Sequence, residues 1–119
     1  MDGKTERFAK AIYETVVTES VQSYKDMFNN MEISSDTDDY SRQAVTLFRS
    51  LSKDDQSVFM RIIEQTIIDD VSHVCGIMDG TSTLTNCDIE PKLLLDSEET
   101  DELLQEMFLA HIEEEDLNP

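Results

Sequence analysis

Apolar residues recur every three to four positions over residues 5–29, and they do so along two lines rather than one. At 100° per residue, Phe8, Ile12, Val16 and Met27, with Ser23, share one stripe. Tyr13, Val17, Tyr24 and Phe28 share a second stripe beside it. The spacing predicts a long helix from about Thr5, as N-cap with Glu6 in the first turn, to about Asn29. Together the stripes cover more than half of the cylinder. A helix on the surface of a monomer needs one stripe, so this one is expected to be central to the fold or shared with a second subunit.

The segment EISSDTDD at 32–39 breaks the pattern with residues that favour turns and caps. A shorter helix is predicted from Asp39 to Ser50, with Ala44, Val45, Leu47, Phe48 and Leu51 inward. Ser52-Lys-Asp-Asp55 has the shape of a capping box, with Asp in place of Glu or Gln. It opens a third helix, Lys53 to about Met78, which Asp79-Gly80 ends through a left-handed glycine. In TSTLTNCDIEPKLLL, residues 81–95, short bursts of Thr, Leu and Ile predict two brief extended segments or a hairpin, with Pro91 at an edge. Ser97-Glu-Glu-Thr100 then reads as the start of a last helix. That helix buries Leu103, Leu104, Met107, Phe108 and Ile112 and runs to about Glu114. The acids of EEEDLNP oppose the helix dipole, so 113–119 is expected to fray. The fold class predicted is therefore mainly α: about four helices, with a short β-hairpin or extended segment between the third and fourth, in a single small acidic domain over 1–119.

Charge changes the picture more than composition does. The 119 residues carry 27 acids against nine bases, for a net charge of −18. The imbalance deepens along the chain, from −1 over 1–30 through −3 and −5 to −9 over 91–119. Such a surface repels nucleic-acid phosphates and anionic membranes, which argues against direct nucleic-acid binding and makes a basic protein the natural partner. No stretch approaches the ~18 apolar residues of a membrane span, and MDGKTERFAK lacks the apolar core of a signal peptide. Cys75 and Cys87 match no zinc spacing and read as free thiols in a reducing cytoplasm.

Candidate chemistry is sparse. In TIIDDVSHVCGIMDG (66–80), Thr66, Asp70 and His73 stand at i, i+4 and i+7 along one edge of the apolar stripe of the third helix. A carboxylate placed among apolar residues needs a hydrogen-bonding partner, and the hydroxyls of Thr81, Ser82 and Thr83 would supply one. With His111, on the apolar face of the last helix, these three are expected to be buried structural polar groups. Metal-binding bundles repeat Glu-x-x-His on two helices, whereas this chain has Asp70-x-x-His73 once and His111-x-x-Glu114 in reverse. No nucleophile stands beside a base and no glycine-rich phosphate loop occurs, so no catalytic residue, metal ligand or cofactor is assigned.

What remains is the acidic last quarter. Asp96, Glu98, Glu99, Asp101, Glu102 and Glu106 are the expected partner-binding residues, clustered about the start of the last helix. In general type, a small acidic helical chain without catalytic residues, the sequence is similar to bacterial immunity proteins, antitoxins and phage-encoded inhibitors. That similarity rests on no particular positions. It implies a non-enzymatic, cytoplasmic module that neutralises or regulates a basic partner such as a toxin or a nucleic-acid enzyme. Two other readings stand beside it: a structural homodimerisation module built on the wide first helix, and a small metal-binding or acid–base protein using Asp70 and His73.

Overall fold

The computed structural model describes residues 3–117. It is mainly helical, with four helices and a two-stranded antiparallel hairpin between the third and fourth. Helix α1 covers 4–30 without a break, as α-helix Lys4–Ile12, a π-helical stretch Tyr13–Thr18 and α-helix Glu19–Asn30. Helix α2 is Asp39–Ser50 and α3 is Lys53–Asp79. Strands β1 (Leu94–Leu95) and β2 (Glu98–Glu99) pair with Leu94 opposite Glu99 and Leu95 opposite Glu98. Helix α4 is Leu104–Leu117. No helix among the described residues is long and apolar enough to cross a membrane.

The π stretch has a consequence for the face of α1. In a regular α-helix, residues four apart drift by about 40° per step. The wider π turn takes up that drift, so Ala9, Tyr13, Val17 and Val21 stay together against the rest of the core. Gly3 rather than Thr5 is the N-cap, its carbonyl accepting from Arg7 N–H at 3.0 Å. Ser52 and Gly80 cap α3 as expected, Ser52 through the N-cap half of the capping box. Ser52 Oγ accepts from Asp55 N–H at 3.1 Å, and Gly80 sits at φ +80°. Gly80 N–H donates to Ile77 O at 3.0 Å and Thr81 N–H to Gly76 O at 3.0 Å, the two bonds of a Schellman motif. Only glycine fits at 80, because a Cβ there would stand 2.9 Å from the carbonyl oxygen of Pro91 as well as adopt a left-handed backbone.

Two separate cores follow from the packing. Ala9 and Val17 of α1, Ile68 and Cys75 of α3, and Leu104 and Phe108 of α4 form one. Phe28 at the far end of α1 and Val45 and Phe48 of α2 form the other, with Phe59 of α3 packed against them. In the second core Phe28 and Phe48 stack at 4.7 Å and 17°, and Phe59 meets both edge-on at 5.5 and 5.7 Å. Side chains from neighbouring helices close the helix ends. Arg49 of α2 donates through Nε to Phe28 O at 2.9 Å and through Nη2 to Met31 O at 2.6 Å, taking up carbonyls that the end of α1 leaves open.

The last helix departs from the sequence expectation. It begins at Leu104, not near Ser97, and it continues as helix to Leu117, past the predicted fraying point; 118–119 lie outside the described residues. Asp96 and Ser97 (φ 51° and 72°) instead form the two-residue loop of the hairpin. Asp101 and Glu102 (φ 54° and 62°) form a second such turn, closed by Leu103 N–H donating to Thr100 O at 3.1 Å. Positive φ at both central residues is the signature of type I′ turns, which Asp-Ser and Asp-Glu fill here without glycine. The molecule is elongated, 50 × 38 × 22 Å with a radius of gyration of 17.8 Å, where a compact chain of this length has about 13.5 Å.

Candidate functional site

Asp79 is the buried carboxylate of α3. It is almost fully enclosed, and it accepts from two backbone donors of α4: Leu104 N–H to Oδ1 at 3.0 Å and Gln105 N–H to Oδ2 at 2.9 Å. It therefore caps a helix 25 residues away, placing negative charge at the positive end of the dipole. Gln105 returns the contact, its Nε2 donating to Ser72 O at 2.9 Å and to Ser72 Oγ at 3.2 Å. Gly76 lies between these bonds. A Cβ there would collide with Ser82 Oγ and stand 3.0 Å from the Gln105 amide.

Thr66, Asp70 and His73, expected to be buried, are all exposed. The physical reason is the choice of face. The fully buried line of α3 is Ile68, Ser72, Cys75, Gly76 and Asp79, which faces α4, while the apolar arc beside it is only half-buried and its edge at Thr66, Asp70 and His73 is exposed. Thr66 Oγ1 donates to Ile62 O of its own helix at 2.7 Å, and Asp70 lines a surface groove. The hydroxyl and amide groups of Thr81 and the amide of Ser82 donate to Gly76 O, not to Asp70. His111 is buried, with the Tyr13 ring edge-on at 5.0 Å and Nε2 3.6 Å from Glu115. Among the described residues no group of three or more His, Cys, Asp or Glu is placed to hold a metal ion.

The six acids expected at the start of the last helix are distributed differently. Only Glu106 lies in α4. Asp96, Glu98 and Glu99 lie on the hairpin, and Asp101 and Glu102 on the turn after it. Lys4 reaches Asp96 at 3.5 Å and Glu98 at 3.2 Å, tying the start of α1 to the hairpin, while Lys92 pairs with Glu99. The hydrogen bond and charge of Glu99 hold the Lys92 ammonium above its ordinary range. These pairs are solvent-exposed, so each adds little stability.

The structure brings the remaining acids to one place. A cleft of about 500 Å³ runs between the end of α3 and the chain before and after the hairpin. Asp79, Glu90, Glu99, Asp101 and Glu102 line it, against a single cation, Lys92. Asp79 spends its oxygens on α4, which leaves Glu90, Asp101 and Glu102 exposed at the cleft. Glu90 was not among the sequence candidates. The Pro91 that follows it was read only as an edge marker, and its carbonyl oxygen lies against Gly80. Chemically, a concave set of carboxylates accepts the N–H groups of a lysine or arginine side chain.

Both cysteines are free, Cys75 buried and Cys87 exposed. Burial, reinforced by the nearby Asp79 charge, pushes the Cys75 thiol from 9.0 up to about 11. A thiol raised in the folded state holds its proton there longer than in the unfolded chain. Its contribution to stability is therefore complete below pH 9 and is lost as pH rises toward 11. Burial also raises Tyr13, in the same direction. Titration with an aromatic disulfide reagent at neutral pH is expected to modify Cys87 at once and Cys75 only after denaturation; rapid reaction of both would contradict the burial.

Compared with known families, curated proteins and solved structures, the chain shows no match.

Proposed function

We propose that this chain is a non-enzymatic protein-binding module that neutralises or regulates a basic protein, in the manner of an immunity protein or antitoxin, within the cytoplasm. The observation that carries the reading is the acidic cleft of about 500 Å³, where Glu90, Asp101 and Glu102 stand exposed beside Asp79, bonded to α4, and the Lys92–Glu99 pair. The net charge of −18 adds a long-range field that draws a basic protein in and speeds the encounter. Glu90, Asp101 and Glu102 make the direct contacts. Asp96 and Glu98, already paired with Lys4, contribute to the field more than to the contact.

The test is capture from the native host's nuclease-treated lysate, read by mass spectrometry, with three baits. These are the wild type, the cleft variant Glu90→Gln/Asp101→Asn/Glu102→Gln, and a control with the same charge loss elsewhere, Glu14→Gln/Glu19→Gln/Glu32→Gln. A basic protein is expected to be held by the wild type and the control. The cleft variant is expected to bind it about 10- to 100-fold more weakly. Equal capture by all three baits would show that bulk charge alone is at work and would remove the cleft from the account.

A further inference from the structure

The face of α1 and α3 that α4 leaves open is not a scatter of exposed apolar residues. On α3 it runs through half-buried Phe59, Ile63, Ile67, Val71 and Met78 and exposed Val74, in steps of three or four that keep one line along the helix. Opposite it on α1 stand half-buried Ile12 and exposed Val16, then exposed Tyr24, with the buried Phe28 of the second core forming part of the groove floor. Between the two helices lie two grooves, end to end, of about 500 and 340 Å³, and α2 flanks the larger one. In a chain with 36 charged residues, Asp70 is the only charged residue among those described as lining either groove.

We propose that a second copy of this chain covers this face, making the protein a homodimer. Three observations select that occupant. The first is area. The chain exposes 8491 Å², where a compact monomer of 13.6 kDa exposes about 6,600 Å². That excess of about 1,900 Å² per chain is spread over this face and the exposed segment 80–103, and a standard interface needs only about 800 Å² of it from each copy. The second is charge. A basic partner would find no row of carboxylates here to pair with, whereas two chains of −18 can approach only where neither presents acids. The third is self-complementarity. A two-fold interface needs ridges and hollows on the same patch. Tyr40, Ile62, Leu47 and Val74, exposed by 74, 60, 54 and 51%, stand beside the grooves that such side chains would fill.

This proposal is independent of the acidic cleft, and salt separates the two. Like charges on the two copies repel, so the dimer tightens as salt rises, while the basic partner is released. The experiment is sedimentation velocity of the full chain at about 10 µM, in low salt and in about 0.5 M NaCl. The expected species has twice the 13.6 kDa chain mass, with its dissociation constant lower at high salt. Ile62→Asp on α3 and Leu47→Asp on α2 are each expected to raise the dissociation constant about 100-fold or more. Because both residues are already half-exposed in the single chain, neither change is expected to reduce helical circular dichroism. A wild type that sediments as a monomer at both salts would overturn the proposal. So would a dimer that both variants leave intact.

Discussion

Replacing Asp79 by alanine is expected to lower the stability of the protein by about 3 kcal/mol, because one buried and one half-buried charge-assisted hydrogen bond are lost together. Leu104 N–H and Gln105 N–H are among the first amides of α4, with no partner inside the helix, and Asp79 is their acceptor. Alanine would leave the buried Leu104 N–H unsatisfied and the half-buried Gln105 N–H without its acceptor, and would remove the negative charge from the positive end of the helix. Asparagine keeps one oxygen, so Asp79→Asn is expected to cost about half as much. Urea denaturation gives both values. Hydrogen exchange adds the location, since the amides of 104 and 105 should lose protection first. A cost below about 1 kcal/mol for the alanine variant would mean that α4 is held by its apolar contacts alone.

The second large effect is expected in the two aromatic anchors. Phe108 is fully buried in the core shared by α1, α3 and α4, with the Tyr13 ring at 6.3 Å. Phe48 lies in the other core, stacked on Phe28. Phe108→Ala and Phe48→Ala are each expected to cost about 3–5 kcal/mol, from lost burial and the cavity left behind. The cores share no buried residue, so the milder pair Phe108→Leu and Phe48→Leu should add to within about 0.5 kcal/mol in the double variant. Thermal or urea melts of the four proteins close that cycle. A strong coupling between the two would show that α1 and α3 carry strain from one core to the other.

These expectations rest on residues that local patterns reveal unequally. The ends of α3 were legible because their signals are local: Ser52 with Asp55, and Gly80 after the last periodic residue. The start of α4 was not. Ser97-Glu-Glu-Thr100 has the composition of a helix start, yet Ser97 is at φ 72° in a hairpin turn. The true cap, Asp79, comes from another helix. Periodicity along one chain cannot register a cap supplied across 25 residues. The same limit explains Asp70. The wheel identifies the apolar arc of α3, but which arc α4 covers depends on tertiary packing, and it covers the one containing Ser72 and Asp79. The two stripes on α1 were legible in part: Val17 and Phe28 of the second are buried and α1 enters both cores, as expected of a central helix, whereas the buried Ala9 stood on neither stripe. The acidic cleft was legible in part: Glu99, Asp101 and Glu102 were named, but Glu90 enters only because the loop after α3 returns past Gly80.

The most direct test of the functional account is the mass of the complex with the captured basic protein, followed by light scattering as salt is raised. At low salt the account predicts two copies of this chain carrying two copies of the partner, one at each acidic cleft. At about 0.5 M salt, where the Debye length is about 4 Å, it predicts loss of the partner with the pair of chains intact. A partner that stays bound at high salt, displacing the second copy from the apolar face, would contradict it.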